Sequence, residues 1–249
     1  MMCGCSTRRG FLMGSAALGA TGLSACDEVS LVSDEELARM GEETWRQILA
    51  DVPESRNANL RGATSEVSAQ LLAASGQSVQ DWDIRVFASP QINAFALPGR
   101  KIGVYEGMFQ AARTADQLAA IIGHEIGHLQ AEHARKRVTA QIAKDSGLQL
   151  LNWALEAGDV QFAREIAGAL GVGIELGLVL PYSRNQETEA DRIGVHIMHD
   201  AGFAAEEAIT LWQRMASLSD NRGPEFLATH PQPTSRITEI RALIPTLDT

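Results

Sequence analysis

Leu118-Ala119-Ala120-Ile121-Ile122-Gly123-His124-Glu125-Ile126-Gly127-His128-Leu129 is the stretch from which the rest of the chain is read. Leu118, Ile121, Ile122 and Leu129 recur at helical spacing, and Thr114 followed by Gln117 fits a capping box at the start of that helix. The spacing predicts a helix running well past Glu132. Within it His124 and His128 stand at i and i+4, so both imidazoles share one face, with Glu125 beside them. This H-E-x-x-H pattern outlines a zinc site whose carboxylate acts on metal-activated water. The alternative is a solvated helix with two incidental histidines. Two imidazoles and a carboxylate inside an apolar-periodic helix would be costly to bury without partners, which argues against it.

A catalytic zinc needs a third protein ligand and leaves its fourth position to water. His133 is the nearest candidate in sequence. It fails the metzincin template, which requires a Gly and a sixth-residue His, and it reads as a polar histidine on a helix face. Farther on, Ser183-Arg184-Asn185-Gln186-Glu187-Thr188-Glu189-Ala190-Asp191-Arg192 opens a predicted helix from about Asn185 to Gly202. Glu187 and Asp191 share one face of it. Two readings stand side by side: a solvated acidic face, or a metal ligand at Glu187 with Asp191 accepting the free ring N–H of a ligand histidine.

Around these segments the periodicity predicts a small sheet among helices. Ser33 to about Ala50 is helical through Leu37, Met40, Trp45, Ile48 and Leu49, and Pro53 ends it. A second helix is expected from Ser65 to Ala74. Asp81 to Ala88 alternates like a half-buried strand, Asn93 to Gly99 reads as an edge strand closed by a Pro-Gly turn, and Lys101 to Glu106 as the returning strand. Ile166 to Leu180 is mostly apolar but is interrupted by glycines and Glu175. It is shorter than the ~20 residues that cross a bilayer, and it reads as a buried helix. Helices from Ala204 to Ser219 and after the turn at His230 to Pro233 complete an α+β, mainly α, single domain over residues 33–249.

Composition narrows the function. With 45% hydrophobic and 21% charged residues among 249, the chain can bury a core and lacks the bias of disordered or collagen-like sequences. A formal charge of −10, with no basic block longer than the three residues Arg135-Lys136-Arg137, argues against nucleic acid as a partner. The cysteines are Cys3, Cys5 and Cys26, so thiol chemistry is confined to the amino terminus. That terminus reads as an export leader. Thr7-Arg8-Arg9-Gly10-Phe11-Leu12 resembles a twin-arginine signal, an apolar stretch follows to Leu23, and Leu23-Ser24-Ala25-Cys26 resembles a lipobox. The expectation is a signal peptide over 1–25, lipid on Cys26 and a short tether to residue 32, which reaches about 20 Å when fully stretched.

Taken together, four segments resemble one family. They are His124 to His128, Glu187 to Asp191, Asn93 to Gly99 running into Lys101-Ile102-Gly103-Val104, and Thr229-His230-Pro231 with Arg236. They resemble the Oma/BepA-like zinc metallopeptidases, the superfamily that includes HtpX and the CAAX prenyl endopeptidases, from roughly Ser33 to Leu243. The resemblance implies a zincin-like domain and one zinc ion per chain, held by His124, His128 and Glu187. It implies Glu125 as the base and Asp191 hydrogen-bonded behind a ligand. It also implies a loop histidine, His230, that gates the metal or helps stabilise the oxyanion, with Arg236 orienting that loop. Substrate would add as a strand along Asn93, Ala94, Phe95, Ala96 and Leu97.

The expected protein is a zinc endopeptidase on the periplasmic side of a bacterial envelope, anchored to the membrane at Cys26 and cleaving unfolded or misassembled envelope polypeptides. Its rival is an assembly factor or holdase whose zinc is structural or closed off by His230. Two departures stand out. Gly99 is followed by Arg100 where the family has a second glycine, which predicts a different turn. The short stretch after Pro231 suggests the stand-alone protease form, without added helical repeats.

Overall fold

Ser33 accepts a hydrogen bond from the Glu36 amide and so caps α1 (Asp34–Asp51), which buries Leu37 and Trp45 and ends just before Pro53. The computed structural model describes residues 30–157, 182–218, 224–231 and 233–248. Helix α2 (Ala58–Ala74) begins well before the expected Ser65, because the Asn57 side chain accepts from the Asn59 and Leu60 amides and starts it there.

Three strands follow, β1 (Asp83–Phe87), β2 (Ala94–Leu97) and β3 (Lys101–Tyr105), in the order β1-β3-β2. Strand β3 returns antiparallel to β2, with Ala94 opposite Val104, and also lies parallel to β1, with Ile84 opposite Ile102. β2 is therefore an edge, as its sequence predicted. The turn before β3 places both Gly99 (φ 84°) and Arg100 (φ 60°) in the left-handed region. Arg100 thus adopts a backbone that glycine takes freely, at a cost of roughly 1–2 kcal/mol for a residue with a Cβ. At Gly103 the flat side of Phe95 covers β3 so closely that a Cβ would sit 2.2 Å from the ring.

The remaining described helices are α3 (Ala115–Gln130), α4 (His133–Ala157), α5 (Arg184–Asp200), α6 (Glu206–Ser217), α7 (Glu225–Thr229) and α8 (Pro233–Leu243). Helix α3 lies at the centre, packed on α2, β2, α5 and α6. Its core neighbours include Leu71, Ile102, Met108, Trp212 and Phe226, all essentially inaccessible to solvent. One expectation fails here. The helix predicted to continue past Glu132 stops at Gln130, Glu132 takes a left-handed φ of 53°, and α4 restarts at His133. Gln130-Ala131-Glu132 offers no large apolar side chain to hold a continuing helix against the core, so the chain turns and folds back.

The expected leader, Cys26 and the Ile166–Leu180 segment lie outside the described residues. Among those described, no helix is long and apolar enough to cross a membrane.

Candidate metal centre

Helices α3 and α5 meet backbone to backbone. A Cβ on Gly127 would stand 2.6 Å from the Ala190 carbonyl oxygen, and one on Gly194 would stand 2.8 Å from the carbonyl carbon of Gly123. Glycine at 123, 127 and 194 removes the side chains that would keep the helices apart. The start of α5 is fixed by a full capping box between Ser183 and Gln186, one residue before Glu187. As a consequence Glu187, distant in sequence, arrives beside the two histidines of α3. Its Oε1 lies 3.3 Å from His128 Nε2 and its Oε2 lies 3.8 Å from His124 Nε2, while the two Nε2 atoms are 3.0 Å apart.

His230, between α7 and α8, joins them. Its Nδ1 is 3.2 Å from His124 Nε2 and 3.1 Å from Glu187 Oε1, and its ring stacks on Phe226 at 4.1 Å. His124, His128, Glu187 and His230 are all buried, with donor atoms within 4.8 Å of one another. Four donors about 2.0–2.1 Å from one tetrahedral ion stand about 3.3 Å apart, so the observed separations fit a single zinc. The position left to water in a catalytic site is here faced by His230.

Glu125 lies next to this group, with its Oε1 3.7 Å from His230 Nε2. Both of its carboxylate oxygens are buried without a hydrogen-bond partner, whereas Glu187 Oε2 is ion-paired with Arg236 Nη1 at 2.6 Å. Burial, reinforced by the Glu187 charge, pushes the Glu125 carboxyl up to about 8. His124, His128 and His230 are held well below the usual imidazole value, chiefly by burial. Arg236 adds to this at His124 and His230, and His124 adds to it at His128. Neutral imidazoles and a carboxylate converging within 4.8 Å are what a divalent cation requires of its ligands, so the residues present fit zinc.

Behind the donors, Asp191 receives two hydrogen bonds from Arg236, each 2.6 Å, and its Oδ1 is 3.0 Å from His124 Nδ1. Arg236 was expected to orient the His230 loop. It grips Asp191 and Glu187 of α5, the latter also in contact with His230, with its guanidinium 3.6 Å above the Trp212 ring. His133 departs from expectation. The break at Glu132 turns it inward, where it is fully buried with Nδ1 2.9 Å from His128 Nδ1. Two further residues had not been singled out. Tyr182 stacks on His128 at 3.7 Å, and Arg137 of α4 lies over Tyr182 and donates to its hydroxyl. Sequence carried no local signal for either, since their contacts join α4 to the segment entering α5.

A cavity of about 170 Å³ connects β2 with Glu125 and His230, and Tyr105, Arg137 and Tyr182 form part of its wall. The segment Asn93 to Leu97 thus shares a cavity with Glu125 and His230.

Comparison with known proteins agrees with this arrangement. Residues 54–244 match peptidase family M48. The chain is 31% identical over 212 residues to the mitochondrial metalloendopeptidase OMA1 of Schizosaccharomyces pombe, covering 83% of this chain and 60% of that protein. It is 34% identical to the mitochondrial metalloendopeptidase OMA1 of Bos taurus, over 68% of this chain and 34% of that one. It is also 28% identical to the beta-barrel assembly-enhancing protease of Yersinia pestis, over 94% and 48% respectively. The chain therefore spans between about a third and three fifths of these relatives. With a buried H-E-x-x-H helix, a distant glutamate brought to it and a match over most of its length, the chain belongs to peptidase family M48.

Proposed function

We propose that the chain is a zinc metalloendopeptidase that cleaves misfolded or misassembled polypeptides on the periplasmic side of a bacterial envelope, tethered to the membrane through lipid on Cys26. The observation that carries the catalytic part is the unpartnered Glu125 carboxylate, set between a four-donor cluster and a cavity walled by an edge strand. His124, His128 and Glu187 would hold zinc, which when bound would supply a Lewis acid for the scissile carbonyl and for water. Glu125 takes a proton from the attacking water and delivers it to the leaving amine nitrogen. An extended substrate pairs with Asn93, Ala94, Phe95, Ala96 and Leu97 through main-chain hydrogen bonds, which fixes register while demanding little of its side chains. The location rests on the twin-arginine and lipobox motifs of the sequence.

A second reading is an envelope assembly factor or holdase with a closed zinc site, and the place of His230 among the donors favours it. In the peptidase reading His230 must swing away before substrate enters, so His230→Ala should speed cleavage. The test incubates the zinc-loaded chain and the His230→Ala variant with an unfolded protein, with and without chelator. Fragments that chelator abolishes, produced faster by the variant, support the peptidase. No fragments from either form would leave the holdase.

A further inference from the structure

His128 and His124 occupy equivalent positions on α3, but their outward-facing nitrogens meet different partners. His124 Nδ1 faces the Asp191 carboxylate at 3.0 Å. His128 Nδ1 faces another imidazole, that of His133, at 2.9 Å between the two Nδ1 atoms. His133 Nε2 in turn lies 3.2 Å from Glu189 Oε2, and Lys136 Nζ lies 4.0 Å from the same oxygen. His133 is completely buried, whereas the Glu189 side chain is 38% exposed.

Two ring nitrogens at this separation need one proton between them, so one donates and the other accepts. The direction is settled by the far ends of the chain of contacts. The carboxylate of Glu189 can only accept, which places a proton on His133 Nε2. In the neutral ring His133 Nδ1 is then an acceptor, and His128 Nδ1 donates to it. His128 Nε2 is left with a free lone pair directed at Glu187 and His124. Reversed, the proton would sit on His128 Nε2 and deny that atom to a metal.

We propose that His133 and Glu189 form a positioning relay that fixes the tautomer and ring orientation of His128 for metal binding. The proposal rests on the metal-centre reading given above. The relay joins three elements: the ligand on α3, the intermediary at the first position of α4, and the anchoring carboxylate on α5, two residues from Glu187. One ring face of His128 is covered, since Tyr182 stacks on it at 3.7 Å. Removing the relay frees the Nδ1 proton to redistribute, and outer partners of ligand histidines typically contribute 10- to 100-fold in metal affinity.

The test is a double-mutant cycle on zinc affinity, measured by competition with a chromophoric chelator, using the full chain, His133→Phe, Glu189→Ala and the double variant. The relay predicts a loss of about 10- to 100-fold for His133→Phe. It predicts roughly 3- to 10-fold for Glu189→Ala, the worth of one hydrogen bond. The double variant should bind no more weakly than His133→Phe alone, because Glu189 acts only through His133. Nitrogen-15 shifts of His128 in the chelated chain should report a proton on Nδ1, and mixed tautomers in His133→Phe. Unchanged affinity in Glu189→Ala, which alters a part-exposed side chain and tests the relay even if His133→Phe fails to fold, would overturn it. A double variant that loses the product of the two single losses would do the same. Failure of the unchanged chain to take up zinc would instead sink the metal-centre reading itself.

Discussion

At the scale of single residues, the site is built on charges that water does not reach. Arg236 is buried to 1% exposure, with its charge held by the two short bonds to Asp191 and by the Glu187 carboxylate at 2.6 Å. Burial pushes the Asp191 carboxyl upward against the pull of Arg236. Removing one partner from such a group leaves the other's desolvation uncompensated, which costs about 3–5 kcal/mol. Asp191→Asn should therefore lower the unfolding free energy of the chelated chain by about that amount in a urea titration. A loss below about 1 kcal/mol would show that Arg236 does not depend on Asp191. His124, Glu125 and His128 were legible in the sequence because their spacing is local. His133 was not, because its role depends on the left-handed turn at Glu132, which no periodicity marks. Arg236 was found by resemblance, yet its partners emerged only from the packing of α8 against α5 and α6.

Among the elements, the contact of α3 with α5 brings Glu187 within reach of the two ligand histidines. Gly123 and Gly127 on one helix and Ala190 and Gly194 on the other let the two backbones touch. Gly127→Ala would drive a methyl group to 2.6 Å from the Ala190 carbonyl oxygen, a backbone atom that can yield only if α5 moves. Overpacking of this kind costs about 1–3 kcal/mol. The variant should therefore unfold at lower urea and bind zinc more weakly, since Glu187 rides on α5. Wild-type stability together with wild-type zinc affinity would contradict the account of this contact. A cap made the start of α3 readable in advance, Thr114 with Gln117, whereas the Ser183 and Gln186 box that starts α5 was not singled out. The Asn57 cap was overlooked, and α2 was read too short. The insertion of β3 between β1 and β2 was not readable either, because strand order is set by how α2 and α3 cover the sheet rather than by alternation within any strand.

For the molecule as a whole, the proposed ligands come from α3 and α5, and His230 in the turn between α7 and α8 faces the same centre, so one ion would tie together segments distant in sequence. A ligand that binds the folded chain alone stabilises it by about 2.7 kcal/mol at a hundred times its Kd. For a domain of this size that corresponds to roughly 5–10 °C in Tm. Calorimetry with and without chelator should show a fall of that order, reversed by added zinc, whereas identical melting curves would speak against a metal spanning these elements.

The most direct test concerns Glu125. Its carboxylate has no hydrogen-bond partner, is not needed as a ligand, and lies between the donor cluster and the edge-strand cavity. Wild type and Glu125→Gln, each loaded with zinc and assayed for metal content, are incubated with the same unfolded protein. Both should carry one zinc per chain and only the wild type should produce fragments. Equal cleavage by a fully loaded Glu125→Gln protein would contradict the assignment of the base, and with it the account of how this site acts.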